Sequence, residues 1–151
     1  MQALLLAIQS ALRSGLSDIR SGDIFITPHV NFVPPGVKAP AIGIKDGPGR
    51  VSELGGSMQE TTLQVKLVIW VDFPAGEEMI IGKGTMKGVL DRTTEVHAVL
   101  GQNLLSIDGM ISARPVAETE SEMFSDGKGR GLDRKIITYE YEKEETLWGT
   151  S

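Results

Sequence analysis

The chain has 151 residues, a formal net charge of −5 and no cysteine. This length suits a single domain over residues 1–151, which would bury roughly 68–70% of its unfolded surface. The lack of cysteine excludes disulfide frameworks and thiolate metal sites. The net negative charge disfavours a broad surface that binds nucleic acid. No apolar run reaches membrane-spanning length, so no membrane contact is expected.

The N-terminal region predicts a helix and then a short strand. Apolar residues recur every three or four positions in residues 2–14, polar residues occupy the opposite side, and Gly15 is a natural stop. No Lys or Arg precedes this apolar start, so it does not indicate a secretory signal. Residues 23–27, DIFIT, are rich in β-branched and aromatic side chains and predict a strand that Pro28 ends.

The region 28–57 is rich in glycine and proline and predicts an irregular arm. Its Pro-Gly and Asp-Gly pairs are typical of turns. Two short pieces, residues 41–45 and 50–54, are candidates to pair as a hairpin around a turn at residues 46–49. Two interpretations remain open, a solvent-exposed loop or an arm that reaches a neighbouring subunit.

A long strand is the clearest prediction. In residues 59–73, QETTLQVKLVIWVDF, apolar side chains fall on every second position from Leu63 to Phe73 and therefore line one buried face. The other face is polar at its start but carries Val68 and Trp70 near its end. We expect another element or another subunit to cover this second patch, and Val68 and Trp70 are the candidates for a subunit interface.

A second helix is predicted within residues 77–100. Its apolar positions recur at threes and fours. They are Met86, Val89, Leu90, Thr93, Val96 and Leu100. Glycines within residues 82–88 weaken the first half, since each costs about 1 kcal/mol relative to alanine. The helix is therefore expected to begin near Thr85.

The C-terminal region predicts a β-hairpin over residues 110–145, with strands at 110–124 and 132–145 around a glycine-rich turn. Both strands carry a ladder of glutamates. The candidates for an acidic surface are Glu118, Glu120, Glu122, Glu140 and Glu142. Because like charges on one sheet face repel, this ladder is either a solvated face that blocks edge-to-edge pairing or a surface that repels another polyanion.

The sequence offers no convincing chemical site. Residues 76–85 resemble a phosphate loop, but five residues separate the glycines and a glycine stands where the hydroxyl belongs. His29 lies in the irregular arm and His97 at the edge of a helical apolar stripe, and no spacing brings either beside a carboxylate or a second histidine. We therefore predict no catalytic residue, no metal site and no cofactor.

The order of these elements resembles that of the tail terminator, or tail completion, proteins of long-tailed bacteriophages, the minor tail protein U group. The segments that carry the resemblance are LLLAIQSAL in residues 4–12, ETTLQVKLVIWV in residues 60–71 and KIITYEY in residues 135–141. It extends over nearly the whole chain and depends on architecture and size.

Together with the pattern of elements, the resemblance implies an α+β fold with a mainly antiparallel sheet, two helices packed on one face and a long β-hairpin arm. It implies a ring, usually hexameric, that caps the tail tube and faces the head-side connector in a virion assembled in the host cytoplasm. DNA would pass this ring without specific binding, and the glutamate ladder would line its lumen. The alternatives are a head-completion or neck connector and, from another class, a small ligand-binding or enzymatic α+β domain.

Overall fold

The computed structural model describes residues 1–72, 76–84, 86–125 and 131–146. The helices are α1 (Gln2–Gly15), α2 (Gly76–Ile81) and α3 (Val89–Leu100), and a 3₁₀ turn covers Ser21–Asp23. The strands are β1 (Ile24–Ile26), β2 (Ala41–Gly55), β3 (Met58–Val71), β4 (Met110–Glu118), β5 (Glu122–Ser125) and β6 (Gly131–Thr146).

The strands form one six-stranded sheet in the order β1-β2-β3-β6-β4, with β5 also paired to β6. β1 runs parallel to β2, and the other pairings among these strands are antiparallel. β3 and β6 form the long central pair, from Met58 opposite Thr146 to Val71 opposite Asp133. The predicted α+β class with a mainly antiparallel sheet is confirmed.

The main core lies between one face of the sheet and the helices. α1 buries Leu4, Ile8 and Leu12, and α3 buries Val96 and Leu100. The sheet contributes alternate residues of its strands, because successive side chains point to opposite faces. These are Ile42, Ile44, Val65, Leu67, Ile69, Ile137, Tyr139 and Tyr141. No helix in the described ranges is long and apolar enough to cross a membrane.

β2 is one continuous strand, so the hairpin predicted around its Asp-Gly-Pro-Gly stretch is wrong. The strand stays paired with β3, and the pairing register shifts between Asp46 and Gly49. The chain reverses instead at Gly55 and Gly56, whose φ values of +99° and +61° favour glycine. Within the region 28–57, which was expected to be irregular, residues 28–40 precede β2 and contain no strand.

The second predicted helix is divided into α2 and α3. α2 has only 6 residues and ends at Ile81. Gly82 follows it with a φ of +79°, a conformation that favours glycine. At Gly88 a Cβ atom would lie 2.3 Å from the Ile80 carbonyl oxygen, so the approach of the two segments requires glycine. The start expected near Thr85 falls outside the described residues, and α3 begins at Val89.

Candidate assembly surfaces

The second face of the sheet has a small core of its own. Val68 and Trp70 are only 0% and 1% exposed. The segment between β1 and β2 covers them with its apolar side chains, which are Val30, Val33, Val37 and Ala39. Of the two covers that the sequence left open, another element or another subunit, the structure therefore shows the first, because the chain itself buries Val68 and Trp70.

Arg134, on β6, donates hydrogen bonds to the segment that covers Val68 and Trp70. It lies opposite Trp70 in the β3–β6 register, with its guanidinium carbon 5.7 Å from the indole centroid. The guanidinium donates to the Val30 carbonyl oxygen at 3.3 Å, to the Asn31 side chain and to the Glu122 carboxylate. Glu122 therefore neutralises a cation that helps to close the small core.

Beyond the small core, the same sheet face is polar and carries both signs of charge. Glu140 accepts hydrogen bonds from Arg114 at 3.0 Å and from Gln64 at 3.2 Å. Glu142 lies 3.9 Å from the same guanidinium. The hydrogen bond from Arg114 is the main cause that lowers the pKa of Glu140. The Arg114 guanidinium therefore lies beside both carboxylates, which reduces the negative field that they project.

Glu118 takes part in a hydrogen-bonded chain on the helix side of the sheet. His97 Nε2 lies 2.7 Å from Glu118 Oε1, and His97 Nδ1 lies 2.6 Å from the Tyr139 hydroxyl. A neutral imidazole protonated on Nε2 satisfies both contacts, donating to the carboxylate and accepting from the hydroxyl. The hydrogen bond from His97 is the main cause that lowers the pKa of Glu118, and burial raises the pKa of Tyr139 to about 12.

Tyr139 has 0% exposure, so the tyrosine end of this hydrogen-bonded series is closed to solvent, whereas the Glu118 side chain is 41% exposed. The interpretation that no carboxylate lies beside His97 is nevertheless wrong, because α3 and β4 bring Glu118 to it across the sheet. In the part of the chain that the structure describes, no group of three or more His, Cys, Asp or Glu residues is placed to hold a metal ion.

The glutamates expected to form one acidic surface lie in different surroundings. Glu118 contacts α3, Glu122 contacts the small core, and Glu140 and Glu142 share the polar face. Glu120 is exposed in the break between β4 and β5. The break and a register shift within β4 interrupt the regular alternation on which the expected ladder depended.

The distal end of β2 and the turn into β3, residues 48–58, form one end of the sheet, and we call this segment the arm. Every residue of the arm is exposed. Its apolar side chains Val51, Leu54 and Met58 are 60%, 51% and 38% exposed. Within the arm, β6 pairs only with Met58. Because side chains alternate between faces, Val51 lies on the opposite face of the sheet from Leu54 and Met58.

A second exposed apolar group lies between α2 and α3. Its members, which we call the apolar corner, are Ile80, Ile81, Met86 and Leu90. Reciprocal backbone hydrogen bonds of 2.9 Å between Lys83 and Met86 hold the turn together. The helical spacing assigned Met86 and Leu90 to the buried stripe, whereas they are 45% and 43% exposed. The division of the helix explains this difference at Met86, which precedes α3.

No protein-family model and no curated protein matches the chain. Its structure is similar to that of a chain in a solved particle described as the virion of native gene transfer agent (GTA) particle. The TM-score is 0.60 at 14% sequence identity, and the match covers 94% of this chain and 95% of that chain. The two chains therefore share a fold over nearly their whole lengths.

Proposed function

We propose that this protein is a structural subunit of a phage-like virion and that it forms a closed ring at the head-side end of the tail tube. The observation that carries the proposal is the fold shared with a chain of a gene transfer agent virion over 94% of this chain. Coverage of this extent includes the helices, the sheet and the hairpins together. The ring form, expected to be hexameric, comes from the resemblance to tail terminator proteins.

The proposed partners are other copies of the chain, the tail tube protein on one side of the ring and the connector or neck protein on the other. DNA would pass through the opening without specific binding. The net charge of −5 suits a wall that does not hold phosphates. Glu120 and the polar face with Glu140 and Glu142 are the candidates for this wall. The proposed role requires no catalytic residue and no cofactor.

The proposal is tested by electron microscopy of tail assembly with and without the protein. Without it, tubes should continue to grow and vary widely in length. When purified protein is added to tubes, rings should appear at one end only. Tubes of uniform length in its absence, together with heads that lose DNA, would favour the neck connector instead.

A ligand-binding or enzymatic domain is distinguished by thermal shift against metals and nucleotides. Stabilisation that follows RT ln(1 + [L]/Kd) as the ligand concentration rises would support that alternative. We expect a constant melting temperature across these additions.

A further inference from the structure

A groove lies at one edge of the sheet, between β4 and the loop that joins α3 to β4. Its volume is about 370 Å³, within the roughly 300–1,000 Å³ of sites that hold a ligand or side group. The side chains that line it are Gln102, Leu104, Ile111, Ser112, Ala113 and Arg114. β4 is the outermost strand on this side of the described sheet, so the groove is open to a partner.

The loop beside the groove has an unusual backbone conformation. Three of its non-glycine residues have left-handed φ values, which are +58° at Gln102, +60° at Leu105 and +56° at Ser106. Asn103 holds the loop, because its side chain accepts a hydrogen bond from the Leu105 N–H at 2.9 Å. Leu104 is 38% exposed and Ile111 is 47% exposed. Residues in such conformations cost free energy and cluster at binding sites, so this loop is a candidate contact.

The groove has the chemistry to hold a large aromatic side chain with one N–H donor. The apolar residues of the lining supply surface for the ring. The Gln102 side-chain carbonyl and the Ser112 hydroxyl can accept a hydrogen bond from the donor. Arg114, whose side chain is 59% exposed, supplies a cation for the face of the ring. Tryptophan combines these properties, since its indole is apolar and its N–H finds a partner when buried.

We propose that Trp148 of one copy binds in this groove of the next copy. The chain has two tryptophans, and Trp70 is already buried in the small core. Trp148 follows Leu147 directly after β6, so an apolar pair continues from the end of the central strand. The inference rests on the proposed ring and identifies a contact that builds it.

The geometry of β6 favours the groove of a neighbouring copy over that of the same copy. β6 stays paired up to Thr146, and Glu142, four residues earlier, lies opposite Ser112 in the groove. The end of β6 is therefore about 13 Å beyond Ser112 at roughly 3.3 Å per residue. A chain reversal takes four residues, so Trp148 would still lie within the turn. A contact between two different patches gives a ring when the rotation closes.

Substitutions on the two sides of the contact test it. Trp148→Ala removes the indole, and Ile111→Glu places a carboxylate in the apolar part of the groove. Each is expected to raise the concentration needed for ring formation at least tenfold, which native mass spectrometry measures. Val116→Glu is the matched control, because Val116 is 43% exposed on the same strand and does not line the groove. It should form rings at the concentration that the unchanged protein requires.

Tryptophan fluorescence follows the indole itself. The emission of Trp148 is the difference between the unchanged protein and the Trp148→Ala variant, since Trp70 is buried in both. This emission should shift to shorter wavelength as the protein concentration rises and rings form, because the indole leaves water.

A mixture of the two variants examines the two sides together. The Trp148→Ala copy keeps an intact groove and the Ile111→Glu copy keeps an intact indole. The mixture should therefore give one-to-one dimers and no rings. Circular dichroism checks that each variant is folded.

Four results would overturn the inference. They are rings of Trp148→Ala at the concentration that the unchanged protein requires, loss of rings in the Val116→Glu control, a mixture of folded variants that gives no dimer, and a shifted Trp148 emission where only monomers are present. The last result would mean that each copy fills its own groove. With any of them, rings of the unchanged protein at tube ends would leave the proposed function intact. If the unchanged protein forms no ring and binds no tube, both proposals fail.

Discussion

Replacing Trp70 with alanine is expected to destabilise the fold of each subunit rather than the contact between subunits. Trp70 is 1% exposed and is the largest side chain of the small core. Truncating a buried tryptophan to alanine costs about 3–5 kcal/mol, because apolar contacts are lost and a cavity remains. Loss of the indole beneath Arg134 removes about 1 kcal/mol more. The expected loss is a large part of the roughly 5–15 kcal/mol that stabilises a typical domain.

Urea unfolding followed by circular dichroism measures this loss. For a small domain the free energy of unfolding falls by about 2 kcal/mol for each molar of urea, so a loss of 4 kcal/mol moves the midpoint by about 2 M. The measurement requires a protein concentration at which light scattering shows only monomers, because assembly adds stability that depends on concentration.

The matched control is Phe32→Ala, at a 45% exposed position in the covering segment, which should lower the free energy of unfolding by less than about 1 kcal/mol. A shift below about 0.5 M for Trp70→Ala, combined with loss of rings, would refute the reasoning. That outcome would assign Trp70 to the contact between subunits, the role that the sequence suggested.

Two further substitutions, and a third at exposed Glu120 as a control, test the surroundings of the glutamates. Glu118→Gln should lower the free energy of unfolding by less than about 1 kcal/mol at neutral pH, since the Glu118 side chain is 41% exposed. The hydrogen bond from His97 lowers the pKa of Glu118 in the folded state, so its contribution is present above the ordinary carboxyl pKa and is lost as pH falls through the folded value. Urea titrations of both proteins should therefore converge in acid, and a constant difference down to pH 2 would contradict this. Glu122→Lys should cost about 1–3 kcal/mol, because it places a second cation beside Arg134, whereas exposed Glu120→Lys should stay within about 0.5 kcal/mol. The melting temperatures of the Glu122→Lys and Glu120→Lys variants are compared, and equal values would show that the pairing of Glu122 with Arg134 is unimportant.

The elements with strong local periodicity were predicted well from the sequence. The helix predicted over residues 2–14 is α1, and the strand predicted over residues 59–73 is β3, with Phe73 outside the described residues. In both elements the apolar spacing selects one buried face, and burial of that face is what stabilises the element. Local pattern and tertiary packing therefore agree.

The course of β2 was predicted wrongly because two signals conflict there. The Asp-Gly-Pro-Gly stretch is a strong local turn signal. Pairing with the long strand β3 overrides it, and the irregularity between Asp46 and Gly49 accommodates the extra residues. The cover over Trp70 had no signal either, because residues 28–40 contain no period of two or of 3.6 that indicates which face they bury.

The contact between His97 and Glu118 depends on features that a single sequence does not reveal. α3 must lie over β6, and the register of β4 against β6 must place Glu118 opposite Ile137. The two register shifts within β4, between Met110 and Ser112 and between Pro115 and Ala117, set this placement. The suggestion that part of the region 28–57 reaches a neighbouring subunit stays a prediction.

The most direct test of the proposed ring is native mass spectrometry of the unchanged protein, with negative-stain images of the same sample mixed with tail tubes. We expect one closed oligomer of fixed size, hexameric if the resemblance holds, that sits at one end of each tube. A monomer at every concentration, with bare tube ends in the images, would contradict the proposal.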